Sequence, residues 1–173
     1  MLESDANAAA LAEWKLGAGN QSGAESMCML TLDTGVGAGL ILNARVWHGY
    51  NGMAGEMGHT CVQSEGLECS CGGRSCLERY ALATAIAEAG RRWFRENKSE
   101  SISAAEADTL TAHSIANLAS KGHEGMRAVY EAVGFYPGIS IAQTVTTLDL
   151  PLYVIGAGVL SAWDFLRRLS FKP

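Results

Sequence analysis

Apolar and polar positions change period several times along the chain, and each change marks an element. From Ser4, the run Asp5-Ala-Asn7-Ala-Ala-Ala-Leu-Ala-Glu13-Trp-Lys-Leu16 is dominated by alanine. Ser4 or Asp5 can cap it and Gly17 can end it, which predicts a helix. Met27-Cys-Met-Leu-Thr-Leu32 is a short apolar run behind a turn rich in Gly, Ser and Asn, and predicts a buried strand. Gly35, Gly37 and Gly39 alternate behind it and lead into Leu40-Ile-Leu42; Asn43-Ala44 can then turn the chain into Arg45–His48, making a hairpin. The glycine-rich stretch Gly49–Gly58 reads as a loop over a site, and His59–Gln63 as a further strand. A helix is expected over about Leu77–Arg95, then a polar, exposed segment over Asn97–Ser103. From Ala104 to Thr147 the pattern is mostly helical, with breaks near Gly122 and at Gly134-Pro137-Gly138. Leu152–Ile155 reads as a strand, which Gly156-Ala-Gly158 turns into a last helix from about Ser161. Strands alternating with helices predict an α/β architecture, here as a single domain over residues 1–173.

Composition narrows the class. At 48% hydrophobic and 18% charged, the 173 residues can bury a real core and are too apolar for a disordered chain. Thirteen basic residues stand against 18 acidic ones, and no basic cluster exceeds Arg91-Arg92 or Arg167-Arg168. A nucleic-acid-binding face is therefore not expected. No apolar run approaches the ~18 residues needed to span a bilayer, and Met1–Ala10 lacks a basic stretch followed by an apolar one. The expectation is a cytoplasmic protein with reduced thiols and no membrane partner.

Cysteines fall at 28, 61, 69, 71 and 76, the last three within eight residues. An odd count in a reducing compartment argues against a disulfide framework, and the clustering argues for metal. His59, Cys69, Cys71 and Cys76 supply one imidazole and three thiolates, a donor set suited to a closed, tetrahedral, structural zinc site. Spacing alone leaves simple buried thiols as an alternative. Cys28 and Cys61 lie in predicted strands and read as small apolar core residues.

Gly52-Met-Ala-Gly-Glu56-Met-Gly-His59, followed by Cys69-Ser-Cys71-Gly-Gly-Arg-Ser-Cys76-Leu-Glu78, closely resembles the paired signature of the ROK family of bacterial sugar kinases and sugar-responsive repressors. Other pieces match in order. Asp5-Ala-Asn7 resembles the start of the family's catalytic helix, Thr34-Gly35-Val-Gly37 its second phosphate loop, and Val154-Ile-Gly156-Ala-Gly158 its adenosine-side glycine turn. The resemblance implies an actin-like, ribonuclease-H-like fold of two lobes around a central site. Family members open with a strand-turn-strand carrying Asp-x-Gly-x-Thr, which does not stand before Asp5 here. The expectation is therefore most of the second lobe, truncated at both ends and inactive as a kinase by itself.

The resemblance also assigns roles. Asp5 would be the general base. Asn7, Glu56, His59 and Glu78 would bind sugar. Thr34, Gly35, Gly37, Gly156 and Gly158 would approach ATP, accompanied by Mg2+ in the intact kinase, and His59 with the three cysteines would hold structural Zn2+. From the residues alone, Asp5 could be a simple helix cap, Glu56 and Glu78 solvated charges, and the glycines turns or bulges. The implied function is transfer of the ATP γ-phosphoryl group to a hexose or amino-sugar hydroxyl, in a protein that dimerises with its own copy. The alternative is the sugar-sensing domain of a repressor. Intact Asp5 favours the kinase. Ser4 and Asp33, standing where family kinases commonly carry Asn and Gly, lean toward the repressor.

Overall fold

The computed structural model describes residues 4–33, 35–97 and 104–157. Its centre is one four-stranded sheet in the order β3-β2-β1-β4, built from β1 (Met27–Leu32), β2 (Val36–Leu42), β3 (Arg45–Val46) and β4 (Tyr153–Ala157). The first three strands form an antiparallel meander, with Met27 opposite Ile41 and Leu32 opposite Val36. Asn43 and Ala44 both take positive φ (51° and 62°). That is the condition for a two-residue turn whose twist matches the flanking strands, so the expected hairpin forms. β4 runs parallel to β1, pairing Cys28 with Tyr153 and Leu30 with Ile155. All intervening helices belong to this crossover.

Strand alternation sorts the residues into two faces. Met27, Met29 and Ile41 point to one side and pack with Ala10 of α1 (Asp5–Leu16). Cys28, Leu30, Leu32, Val36, Ala38 and Leu40 point to the other, against Leu77, Ala81 and Ile141. α1 lies close to the sheet because β2 is glycine-rich. A Cβ at Gly39 would come within 2.6 Å of the Ala6 carbonyl oxygen. Gly39→Ala is therefore expected to destabilise the fold by about 1–3 kcal/mol through overpacking, read as a lowered urea midpoint. An unchanged midpoint would show that the helix can retreat freely.

α1 is followed by α2 (Ala18–Ser22), where the sequence suggested only a turn. The Glu13 carboxylate accepts the Ala18 N–H at 2.8 Å and starts this short helix. Further on, the expected helix over Leu77–Arg95 divides into α3 (Glu78–Ala81) and α4 (Ala83–Asn97) at an extended Leu82 (ψ 157°). α3 packs on the sheet core, whereas α4 carries Ile86 and Phe94 into a second, all-helical core. There α4 meets α5 (Ala104–Asp108), α6 (Ala112–Ser120) and α7 (Glu124–Leu148). Tyr130 is fully buried in this core. Its hydroxyl donates to the Ala112 carbonyl at 2.7 Å, and burial pushes the phenol up to about 12.

Three further sequence expectations are corrected. The break at Gly134-Pro137-Gly138 is absent, since α7 runs unbroken for 25 residues through Pro137. Proline inside a helix costs about 3 kcal/mol. Here the first half of α7 buries Met126, Val129 and Val133 in the helical core, and the second half buries Ile141 against the sheet. Packing at both ends keeps the helix continuous. The strand over His59–Gln63 is also absent. His59 ends a 3-10 turn (Met57–His59), and Cys61 makes only an isolated bridge with Cys76. Cys61 is exposed and donates to the Gln63 carbonyl at 3.0 Å, so it is no core residue. Cys28 is buried as expected, and burial pushes its thiol up to about 11. The last helix and most of the polar 97–103 segment lie outside the described residues.

Candidate functional site

The cysteine-rich segment folds as a small hairpin. Val62 N–H donates to Ser75 O, Ser75 N–H to Leu67 O, and Cys69 N–H to Gly73 O, at 2.8–2.9 Å. The reversal uses a left-handed Gly72 (φ 89°). The hairpin brings Cys69, Cys71 and Cys76 to His59, with all four donor atoms within 4.8 Å of one another. Cys71 Sγ lies 3.6 Å from Cys76 Sγ, and Cys69 Sγ lies 3.8 Å from His59 Nδ1. Tetrahedral zinc with Zn–S near 2.3 Å requires edges of about 3.8 Å, so these residues fit such an ion in both chemistry and spacing. The Gly73 N–H, followed by the neighbouring thiols, holds Cys71 below the usual thiol range. Burial pushes the Cys76 thiol up to about 12.

Glu78 belongs to this cluster in a way its sequence position did not reveal. Its Oε1 accepts from the Cys69 thiol at 3.1 Å and lies 3.7 Å from His59 Nδ1. The short Cys76-Leu77-Glu78 spacing was the available signal. It places the carboxylate in the first turn of α3, immediately beyond the last cysteine.

A separate cavity of about 560 Å³ opens between α1, β2 and the 48–56 loop. Ser4, Asn7, Gly37, His48, Tyr50 and Glu56 line it. Ser4, not Asp5, caps α1, its hydroxyl accepting the Asn7 N–H at 3.2 Å. Asp5 is consequently the exposed first residue of the helix, with its carboxylate spared from capping. Gly55 (φ 92°) sits against the Ala38 carbonyl, and its own carbonyl accepts the Ala38 N–H at 3.0 Å. This anchors the loop that delivers Glu56. Glu56 and His59 bracket the 3-10 turn, where residues three apart eclipse. Asn7 and Glu56 thus share the cavity, while His59 and Glu78 meet at the thiols. One turn of chain joins the two groups.

The glycine candidates separate. Gly37 lies in β2, lines the cavity, and leaves room for Ala6 of α1, whose Cβ would be 2.9 Å from an added Cβ. Gly35 has open space around it, and its carbonyl accepts the Asp33 N–H at 3.0 Å. Gly156 is in β4 opposite Thr31. Thr34 and Gly158 lie outside the described residues. His48 and Tyr50 were not singled out from the sequence. The signal was weak: two aromatic rings beside a glycine-rich loop.

An α/β sheet with a carboxylate-bearing helix start, a polar cavity and a histidine–cysteine cluster defines a class that comparison makes specific. The sequence matches the ROK family over residues 1–171, and the chain belongs to that family. It is 40% identical over 172 residues to a glucokinase of Halalkalibacterium halodurans, covering 97% of this chain and 51% of that protein. It is 29% identical over 161 residues to the xylose repressor of Bacillus subtilis, covering 93% of this chain and 38% of that protein. The crystal structure of a ROK family glucokinase from Streptomyces griseus in complex with glucose and AMPPNP superposes with a TM-score of 0.84 at 26% identity, over 98% of this chain and 56% of that one. The fold is thus part of the actin-like fold of ROK sugar kinases. The chain spans about half the length of the glucokinases it matches. No helix among the described residues is long and apolar enough to cross a membrane.

Proposed function

We propose that residues 1–173 form one C-terminal lobe of a ROK-type carbohydrate kinase, which transfers the γ-phosphoryl group of ATP to a hydroxyl of a hexose or amino sugar. The observation that carries this reading is the cavity shared by Asn7 and Glu56; Asp5 does not itself line it, but stands on α1 between the lining residues Ser4 and Ala6 with its carboxylate spared from capping. A carboxylate accepts hydrogen bonds from sugar hydroxyls, and an amide both accepts from them and donates to them. Glu56 and Asn7 bind and orient the sugar. Asp5 takes the proton of the attacking hydroxyl as that oxygen bonds to the γ-phosphorus and ADP departs.

His59 and Glu78 complete the sugar contacts from the cluster side. In this reading the segment 59–76 is a zinc loop held by His59, Cys69, Cys71 and Cys76. The ion contributes folding energy and fixes the imidazole, leaving Nε2 as the ring's other hydrogen-bonding atom. Thr34, Gly35, Gly37, Gly156 and Gly158 approach the nucleotide, with Mg2+ offsetting the phosphate charge. The protein works in the cytoplasm as a homodimer.

Glu56→Gln tests the sugar site on the chain as it stands. A charge-assisted hydrogen bond becomes a neutral one, and calorimetric affinity for glucose or N-acetylmannosamine is expected to fall on the order of tenfold. Unchanged affinity would remove Glu56 from the site. The similarity to the Bacillus subtilis repressor supports a second reading, in which the same cavity senses a sugar without phosphorylating it.

A further inference from the structure

A second cavity, of about 360 Å³, lies between the 63–67 segment of the cysteine hairpin, α3, α4 and α7. Its charged rim is Arg79, Glu88 and Arg92, joined by Gln63. Glu88 and Arg92 stand one helical turn apart on α4, so they share a face. Tyr80 and Tyr136 form part of the floor, their rings 4.5 Å apart and tilted by 31°. Among the described residues, Arg79 and Arg92 have no side-chain hydrogen bond or ion pair. Their neighbours are engaged: Arg91 donates to the Leu110 carbonyl at 2.8 Å, and Arg95 to Asp108 at 2.9 Å.

We propose that this cavity binds a small phosphorylated polyol of the hexose phosphate class. Arg79 and Arg92, without partners among the described residues, both line this cavity, and a phosphate monoester accepts several charge-assisted hydrogen bonds from guanidinium groups at once. Glu88 and Gln63 take hydroxyls, and the tyrosine rings pack against the apolar face of a sugar ring. The volume is in the range of small-ligand sites.

The site communicates with the hairpin. The Tyr80 hydroxyl accepts the Leu67 N–H at 2.8 Å, and Leu67 O in turn accepts the Ser75 N–H at 2.8 Å, next to Cys76. Arg79 directly follows Glu78, which touches Cys69. A ligand that braces Tyr80 and Arg79 therefore steadies the base of the cysteine loop.

The test is calorimetric titration of the 173-residue chain with glucose 6-phosphate at fixed ionic strength, with glucose and inorganic phosphate as comparators. Arg79→Ala and Arg92→Ala are each expected to weaken glucose 6-phosphate binding about tenfold or more, because each removes charge-assisted bonds. Both side chains are exposed, so circular dichroism should be unchanged. Inorganic phosphate should bind more weakly and show the same arginine dependence, and glucose should show none. A competition titration separates the two sites: saturating glucose, which fills the proposed sugar cavity, should leave the arginine-dependent binding of glucose 6-phosphate in place. If glucose fails to bind at all, the arginine dependence still reads the second site independently. Binding of glucose 6-phosphate that survives Arg92→Ala, or that saturating glucose abolishes, would overturn the proposal. So would arginine variants that change only the oligomeric state, since the cavity would then be an interface.

Discussion

Asp5→Asn is expected to cut phosphoryl transfer by about 10²–10⁴-fold while leaving sugar affinity nearly unchanged. The amide keeps the size of the side chain and still hydrogen-bonds a hydroxyl, but it cannot take the proton. Ser4 performs the capping of α1, so the substitution should cost little stability. Turnover can be read in a chimera in which these residues replace the matching half of the Halalkalibacterium halodurans glucokinase, to which they are 40% identical. Sugar affinity can be read on the same variant by calorimetry. A loss of affinity that matches the loss of turnover would make Asp5 a binding residue. A folded, sugar-binding chimera with Asp5 intact and no turnover would favour the sensing role.

Removing the metal is the second large effect. The chain is expected to carry one zinc ion, and Cys71→Ser should lose it. Cys71 is exposed, so the serine sacrifices no packing and the effect reports the ion alone. Structural zinc in small zinc-binding peptides supplies apparent binding free energies of about 10–16 kcal/mol. In this protein the sheet and helical cores remain, and the expected consequence is a lowered melting temperature with rapid proteolysis within residues 59–76. The metal-bound state holds fewer thiol protons than the metal-free one, since burial pushes the free Cys76 thiol up to about 12. Stabilisation by zinc should therefore grow as pH rises and fade as pH falls. Elemental analysis showing a stable, protease-resistant, metal-free hairpin would refute the site.

The sequence by itself determined the elements whose signals are local. The apolar run Met27–Leu32 admits a buried strand, Asn43 tolerates the positive φ a tight hairpin demands while Ala44 adopts it at a cost of about 1–2 kcal/mol, and alanine with a Ser4 cap makes α1. It also determined the metal candidates, because the three cysteines are too close in sequence to lie far apart in space.

What the tertiary structure decided depends on partners distant in sequence. Pro137 should end a helix by local rules, yet α7 continues because its two halves are buried in different cores. Leu82 should continue a helix by local rules, yet it is extended because α3 and α4 serve those same two cores. Cys61 looked like a core thiol but is exposed, since the chain leaves the sheet before a ladder can form. Glu78 reaches Cys69 and His59 only once the hairpin closes. His48 and Tyr50 join Asn7 and Glu56 only once the loop docks on β2 through Gly55. Local propensities of a fraction of a kcal/mol per residue choose the elements. Burial of about 1.5–3 kcal/mol per large apolar side chain decides where they break and what they bring together.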